Sequence, residues 1–318
     1  MPFFFRTLTK AILLFPIVTI ISSCSQFEDE LTKYPYISAN YITQENMGEL
    51  SGIALSKRNP GVIWVGNDNG NTAELFAINA KGERIVTLEQ INGAHDDWED
   101  LAIFEHDGKS YIMIADVGDN GSQRPLSFFS IIEEPDLSEV ELGGRITVKP
   151  AWVSSFSFED RPRDCEAVAI DSVNNKILLL SKRTESQILY ELPLTFERSW
   201  RMVAKRLGEI TPLPEPEKQS YRLIDLANYT NKPTSMDISE DGLSAVVLTY
   251  GDAFIFKKDT PEQDWLSTLN SQPERIPLPV LKQGEAIAFG EKAEHVFITS
   301  EKLPAPLLNV NLRQMREE

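Results

Sequence analysis

The chain has 318 residues, of which 42% are hydrophobic and 9% aromatic, so it is long enough for one large domain or two ordinary ones. Its formal net charge of −17 argues against nucleic acid as a partner, because phosphate binding needs a basic surface. Such an acidic chain suits solubility, cations or cationic partners.

The N-terminus has the features of a bacterial signal peptide. Arg6 and Lys10 supply positive charge, and the apolar run over residues 11–21 is too short to span a bilayer as a helix of about 20 residues. Ile21-Ser22-Ser23-Cys24 resembles the lipobox, whose cysteine receives the lipid. We therefore expect a signal peptide at 1–23 and a membrane anchor through a lipid on Cys24.

The residues after the anchor site give further expectations. Residues 24–33 are polar and acidic, which predicts a tether. Ser25, where enterobacterial lipoproteins of the inner membrane carry Asp, indicates by that resemblance the outer membrane of the cell envelope. With Cys24 acylated, Cys165 is the only thiol left, so no intramolecular disulfide is expected.

A short motif recurs five times along the chain. Each copy has a polar or acidic lead-in, a small or acidic residue, then an apolar residue and usually Ala. The copies are Glu49-Leu50-Ser51-Gly52-Ile53-Ala54, Asp97-Trp98-Glu99-Asp100-Leu101-Ala102, Asp164-Cys165-Glu166-Ala167-Val168-Ala169, Lys232-Pro233-Thr234-Ser235-Met236-Asp237 and Gln283-Gly284-Glu285-Ala286-Ile287-Ala288. Apolar runs of strand period and length follow each copy, which predicts an all-β propeller with four antiparallel strands per blade.

The predicted strands follow the motifs in chain order. A strand over 34–43 precedes the first repeat. The first two repeats predict strands at 52–55, 62–66, 74–79, 84–91, 101–104, 110–115, 126–132 and 147–158, with an insertion at 133–146. The last three predict strands at 167–170, 176–181, 188–192, 201–207, 235–238, 244–249, 253–256, 286–289, 295–299 and 307–312.

The fifth repeat stops after three strands, and the strand over 34–43 can supply its fourth. Closure by a strand from the other terminus pairs an otherwise open sheet edge. We therefore expect a single propeller domain over 34–318 with five blades. The alternative is six blades, with one hidden in residues 195–232.

The start of each first strand and the end of each second strand lie at the same end of a blade. The motif lead-ins and the second-strand loops should therefore gather at one mouth of the central channel. Carboxylate and amide oxygens converge there, from Asn67-Asp68-Asn69, Glu99 and Asp116-x-x-Asp119-Asn120. These are ligand types that Ca²⁺ prefers, although the spacing is not that of an EF-hand; the alternative is a set of Asx turns.

Positive side chains are expected at the same mouth. Lys182, Arg183 and Lys302 could hold a phosphate or carboxylate ligand there, or pair with the neighbouring glutamates. For catalysis, the candidates are Glu99 and Glu166 as bases, and His95, the one histidine expected at the mouth. A Cys165 nucleophile is less consistent with strand alternation than a buried packing role.

The first, second and fifth motifs, together with Ile114-Ala115-Asp116-Val117-Gly118-Asp119-Asn120 and Asp237-Ile238-Ser239-Glu240-Asp241-Gly242, resemble a group of secreted or lipid-anchored bacterial propeller proteins over residues 45–312. More distantly, the chain is similar to the "esterase-like activity of phytase" and gluconolactonase/paraoxonase-like propellers, which bind Ca²⁺ at the channel mouth and include hydrolases of phosphate esters or lactones. By position in the blade, this likeness implies a metal set of Glu49, Asn67, Glu99, Asp116, Asn120, Glu166 and Glu285. The five expected blades and the lack of a second histidine depart from those families.

These observations favour a binding or interaction module with an acidic, Ca²⁺-binding mouth that takes a small anionic ligand or a protein partner. The alternative is a Ca²⁺-dependent hydrolase of phosphoesters or lactones. A third reading is a structural protein of the cell envelope.

Overall fold

The computed structural model describes residues 27–68, 72–216 and 229–318. The predicted signal peptide, Cys24 and the start of the tether lie outside these residues. The chain divides into the units Met1–Pro35 and Tyr36–Glu318. In the first unit, residues 27–31 are helical. No helix in the described part of the chain is both long and apolar enough to cross a membrane.

The second unit begins with one strand, β1 (Ile37–Ile42), and then follows the sequence repeats. The first repeat contains β2 (Leu50–Leu55), β3 (Ile63–Asn67), β4 (Glu74–Ile78) and β5 (Arg84–Gln90). The second contains β6 (Trp98–His106), β7 (Lys109–Asp116), β8 (Ser127–Glu133), β9 (Gly144–Val148) and β10 (Trp152–Phe158).

The remaining repeats have the same order. The third contains β11 (Cys165–Asp171), β12 (Lys176–Ser181), β13 (Ile188–Pro193) and β14 (Met202–Glu209). The fourth contains β15 (Pro233–Ile238), β16 (Ser244–Thr249), β17 (Ala253–Lys257) and β18 (Glu274–Ile276). The fifth contains β19 (Gly284–Phe289), β20 (His295–Ser300) and β21 (Ala305–Asn311). The helices after Tyr36 are short: 3₁₀ turns at Glu45–Met47 and Glu291–Ala293, and α-helices at Trp265–Leu269 and Leu312–Glu317.

Consecutive strands pair antiparallel within each repeat, except that β9 of the second repeat pairs parallel with β5, so that β8 pairs with β10. The described strands form four sheets, in the orders β1-β21-β20-β19, β2-β3-β4-β5-β9, β11-β12-β13-β14-β10-β8-β7-β6 and β15-β16-β17-β18. The eight-stranded sheet joins the second and third repeats, because β10 pairs parallel with β14. β1 pairs with β21, and Ile37 lies opposite Val310, so the N-terminal strand completes the last repeat as predicted.

The core lies between neighbouring sheets. In β3, β4 and β12 almost every residue is buried, because both faces of the strand pack against other strands. One apolar cluster lies between the second and third repeats and includes Met113 and Leu179. Another lies between the third and fourth and includes Leu178 and Val247. This two-sided burial explains why the strands read as continuous apolar runs.

The first strand of each repeat lies at the centre of the unit. β2 contacts β6, β6 contacts β11, β11 contacts β15, β15 contacts β19, and β19 contacts β2. The result is an all-β, propeller-like arrangement of sheets around a channel.

Two strands differ from the sequence prediction. The single strand expected over 147–158 is two strands, β9 and β10, because Pro150 between them lacks the N–H that a sheet ladder needs. β18 was not predicted, since a strand of only three residues leaves little periodic signal.

Candidate functional site

The motif lead-ins and the second-strand loops meet at one end of the sheets, which we call the acidic mouth. A main-chain hydrogen bond joins the two in four repeats. The bonds run from Asp68 N to Glu49 O (2.8 Å), from Val117 N to Asp97 O (3.1 Å), from Lys182 N to Asp164 O (2.9 Å) and from Glu301 N to Gln283 O (2.9 Å). Asp68, Val117, Lys182 and Glu301 are therefore structurally equivalent. In the fourth repeat the equivalent residue is Tyr250, because it directly follows Thr249, which pairs with Pro233 in the sheet.

All five first strands have a register shift at their second residue. The residues at this bulge are Ser51, Glu99, Glu166, Thr234 and Glu285. Bulges re-aim side chains, and they are common beside functional sites. The two hydroxyl side chains bond the next first strand in the ring: Ser51 Oγ donates to Trp98 O (2.9 Å) and Thr234 Oγ1 to Gly284 O (2.7 Å). The other three positions carry buried glutamates.

Glu99 lies at the most acidic part of the mouth and is only 8% exposed. One oxygen each of Asp68, Asp97 and Glu99 lies within 4.8 Å of the other two, and the same holds for Glu99, Asp164 and Glu166. No residue in the described ranges donates a hydrogen bond to Glu99. Burial, and then the charges of Glu166, Asp68 and Asp97, raise the pKa of Glu99 well above its usual range.

Gly118 makes room for this cluster. A Cβ atom at Gly118 would lie 2.5 Å from Asp97 Oδ2 and closer still to Glu99 Oε1. The main chain of the second-strand loop therefore approaches the two carboxylates more closely than any other residue type would permit.

A hydrogen-bonded network around Lys182 lies beside this cluster. The ammonium group of buried Lys182 pairs with Glu166 and donates to Tyr250 Oη (2.7 Å), and Tyr250 Oη donates to Glu285 Oε1 (2.6 Å). Burial opposes the charge of Lys182, but Glu285 and Glu166 outweigh it and raise the lysine pKa. The positive charge of Lys182 therefore interacts with three buried glutamates, Glu166, Glu285 and Glu99.

Arg183 and Lys302, predicted to hold an anionic ligand, are bonded to residues of the mouth. Arg183 lies 2.6 Å from Asp164 Oδ2, and it also donates to Asn120 Oδ1. The Lys302 ammonium lies 2.7 Å from Glu49 and 3.0 Å from Glu301. Burial and the charge of Glu285 raise the pKa of Glu301 to about 7.

Asp116 is occupied by protein donors. It is fully buried and accepts from Asp96 N (2.8 Å), Asp97 N (3.2 Å) and Arg124 (2.6 Å), so it shapes the loop that carries Asp97. Asn67 donates to Asn46 O (2.7 Å), while its buried Oδ1 has no partner among the described residues. The metal roles assigned by resemblance to Asp116, Asn67, Asn120, Glu49 and Glu285 stay predictions.

The remaining candidates pack into the protein. His95 lies edge-on against Trp98, with ring centroids 4.7 Å apart. Cys165 is fully buried, and burial raises the pKa of its thiol, which keeps it uncharged. Neither observation supports a nucleophile with a base beside it.

Two contributors to the site were not identified as site residues from the sequence. Tyr250 links Lys182 to Glu285, and the signal that could have found it is its repeat position, equivalent to Asp68 and Lys182. Gly118 stands out only when the approach of its main chain to Asp97 and Glu99 is measured.

The residues fit a hard cation on the side of Asp68, Asp97 and Glu99. The donor set is all oxygen, which Ca²⁺ prefers and zinc does not. The buried Glu99 carboxylate, which has no hydrogen-bond donor among the described residues, lies next to Gly118, whose lack of a side chain leaves space there.

No protein family model matches the chain, and no curated protein matches it. Among solved structures, it is similar to a gluconolactonase from Xanthomonas campestris at 10% identity and a TM-score of 0.42, over 82% of this chain and 72% of that one. It is also similar to a chain of a nidogen/laminin complex at 10% identity and 0.40, over 79% and 72%. A third similarity is to a luciferin-regenerating enzyme at 8% identity and 0.42, over 86% and 95%. Conclusions about function therefore come from the residues of this chain.

Proposed function

We propose that this chain is a lipid-anchored, extracytoplasmic five-bladed β-propeller that binds a divalent cation, Ca²⁺ first, at its acidic mouth and presents it to a small anionic or peptidic ligand. The observation that carries the proposal is Glu99, a buried carboxylate among like charges with no described hydrogen-bond donor. Asp68, Asp97 and Glu99 would hold the ion.

Electrostatics support a cation at this place. Carboxylates that share a small buried volume repel one another, and they ionise together only when positive charge is supplied. The Lys182 ammonium group is hydrogen-bonded to Glu166 and Tyr250, and among the described residues it makes no hydrogen bond to Glu99. A bound cation would add positive charge beside Glu99 and leave coordination positions for an anionic group.

Separate observations support the number of blades and the lipid anchor. Five first strands that contact one another in a ring support five blades. The lipid anchor and the outer-membrane location rest on the lipobox at Cys24 in the sequence. Incorporation of a labelled palmitate analogue in the bacterial cell, with Cys24→Ser as the control, tests the anchor; equal labelling of both proteins would refute it.

Thermal unfolding tests the cation site. The purified protein is treated with a chelator and then titrated with Ca²⁺. A ligand at 100 times its Kd stabilises a fold by about 2.7 kcal/mol, which at this chain length raises Tm by a few degrees. Glu99→Gln should abolish the rise, and Glu191→Gln, at a surface ion pair, should keep it. No rise in the unmodified protein at millimolar Ca²⁺ would overturn the proposal.

A second candidate is Ca²⁺-dependent hydrolysis of phosphoesters or lactones, and the raised pKa of Glu99 favours it. A buried carboxyl group whose pKa is raised by its surroundings is suited to general acid–base work. The ion, when bound, would polarise the substrate. Glu99 would move the proton, and Arg183 would orient an anionic group. Turnover of a phosphomonoester or lactone that requires both Ca²⁺ and Glu99 would distinguish the hydrolase from the binding module.

A further inference from the structure

A second concave site lies at the opposite end of the sheets, where the turns between the first and second strands lie. A cavity of about 750 Å³ occupies this end, and we call it the turn-side cavity. This volume is typical of pockets for small organic ligands. Its lining includes Ala54 and Ala102, whose small side chains leave space beside the channel.

The turn-side cavity is separate from the acidic mouth. Asp100 and Ser235 lie between the two ends, where Ser235 Oγ donates to Asp100 Oδ1 (3.0 Å) and Asp100 Oδ2 accepts from Val168 N (2.9 Å) and Met236 N (3.2 Å). These bonds cross between first strands of different repeats. A ligand in the turn-side cavity would therefore not depend on a cation at the mouth.

One carboxylate lies at the inner end of the cavity. Asp237 is at the repeat position of Ala54 and Ala102, two residues beyond Ser235 on β15. Its Oδ1 accepts from Ile238 N and its Oδ2 from Phe289 N, both at 2.8 Å. Each oxygen keeps a lone pair for another donor, so Asp237 can accept hydrogen bonds from a ligand.

The walls are apolar and the rim is acidic. Apolar side chains of the lining include Ile53, Ile103, Ile170, Phe289 and Phe297. The lining carboxylates are Glu105, Asp237, Glu240, Glu291 and Glu294, against the ammonium groups of Lys57 and Lys292. This excess of negative charge favours a cationic ligand.

Lys57 is already paired. Its ammonium lies 3.1 Å from Glu240 Oε1, and these residues come from turns of the first and fourth repeats, which are not neighbours in the ring. The pair thus bridges two separated parts of the cavity rim. Glu240 is largely exposed, so breaking the pair costs little and does not block entry.

We propose that the turn-side cavity binds a small organic cation, whose ammonium group donates to Asp237 and whose apolar body lies against Ile53, Ile103 and Phe289. The excess of carboxylates in the lining favours a cation over an anion. The Asp237 carboxylate at the inner end favours a cation over a neutral apolar molecule. The charge of Lys57 acts electrostatically on Asp237 and competes with a bound cation, so its removal should strengthen binding.

Calorimetric titration with three probes that share one apolar body tests the proposal. The probes are 4-phenylbutylammonium, 4-phenylbutanol and 4-phenylbutyrate, added to the full protein with a chelator present. We expect the ammonium probe to bind at least about tenfold more tightly than the alcohol, because the alcohol can donate a hydrogen bond to Asp237 but has no positive charge to pair with it. The carboxylate probe should bind least.

Variants locate the binding. Asp237→Asn should weaken the ammonium probe about tenfold, and Lys57→Met should strengthen it. Glu99→Gln should leave it unchanged, which separates this cavity from the acidic mouth. Equal affinity for all three probes, an unchanged affinity in Asp237→Asn, loss of binding in Glu99→Gln, or no binding of the ammonium probe at millimolar concentration would overturn the proposal.

Discussion

Ser235 Oγ donates a hydrogen bond to Asp100 Oδ1 at 3.0 Å, although the two residues are 135 positions apart in the chain. Asp100 is 2% exposed, and its other donors are the main-chain N–H groups of Leu101, Val168 and Met236. Ser235 Oγ in turn accepts from Ile287 N at 3.1 Å. The side chains of Asp100 and Ser235 thus accept hydrogen bonds from main-chain N–H groups on the first strands of four repeats. Without these two side chains, the buried N–H groups would have no acceptor.

Asp100→Asn should destabilise the protein by about 2–4 kcal/mol, because the NH₂ group of the asparagine would face main-chain N–H groups that need a hydrogen-bond acceptor. Ser235→Ala should cost less, about 1–2 kcal/mol, since it removes one acceptor and one donor. The free energy of unfolding from urea titration measures both. A change below about 0.5 kcal/mol in Asp100→Asn, the usual range of surface substitutions, would show that the Asp100 network does not hold the strands together.

Gly118→Ala should reduce Ca²⁺ affinity at least tenfold, because the added Cβ occupies the space beside Asp97 and Glu99. Gly121→Ala is the matched control in the same loop, since its Cβ would meet only the Gln123 side chain, at 3.6 Å. Titration with Ca²⁺ by calorimetry compares the two. Equal affinities would mean that the ion is not held beside Gly118.

Lys182→Met should destabilise the protein by about 3–5 kcal/mol, because it leaves Glu166 and Glu285 buried without their cation. Lys176→Met removes a more exposed partner of Glu191 and should change stability by about 0–1 kcal/mol. Chemical unfolding in the presence of chelator measures both. Similar losses in the two variants would refute a special role for the buried ammonium.

The protonation of Asp237 predicts a pH dependence of stability. Burial raises the pKa of Asp237 from 3.8 to about 6, so the folded protein binds this proton more tightly than the unfolded chain does. The stabilisation is therefore complete below about pH 4 and is lost as pH rises through 6. Since the side chain is partly exposed, we expect a loss of about 1–2 kcal/mol.

Comparison with Asp237→Asn isolates this contribution. The difference in unfolding free energy between the two proteins should shift by that amount between pH 4 and pH 7, in the direction that disfavours the unmodified protein at pH 7. A difference that stays constant with pH would contradict the prediction, whatever its absolute value.

The sequence predicts the order of strands well because each repeat carries its own local signal. The motif with its apolar pair, a turn such as His106-Asp107-Gly108, and a second apolar run are contiguous in the chain. Pairings between repeats have no such signal. The parallel bonds of β5 to β9 and of β10 to β14 depend on where the insertion after β8 returns, which three-dimensional packing decides.

The site is predicted less completely. Repeat position alone places Glu99, Glu166 and Lys182 at one mouth, as the hydrogen bonds between lead-ins and loops show. Which carboxylate lacks a donor cannot be read from the sequence, since it depends on where the Lys182 ammonium points. The role of Asp100 was missed, although an acid in a row otherwise occupied by Gly52, Ala167, Ser235 and Ala286 is a detectable anomaly.

The pairing of the outer strands of the sheets determines which parts of the protein can unfold locally. β9, from the connection after β8, pairs with β5 of the first repeat, and β10 pairs with β14 of the third. Repeat proteins often unfold repeat by repeat, because each repeat contacts only its neighbours' faces. Here the first three repeats also share sheet ladders. We therefore expect amide hydrogen exchange to protect β2 to β14 as one cooperative block, so that no single repeat within it fluctuates open alone.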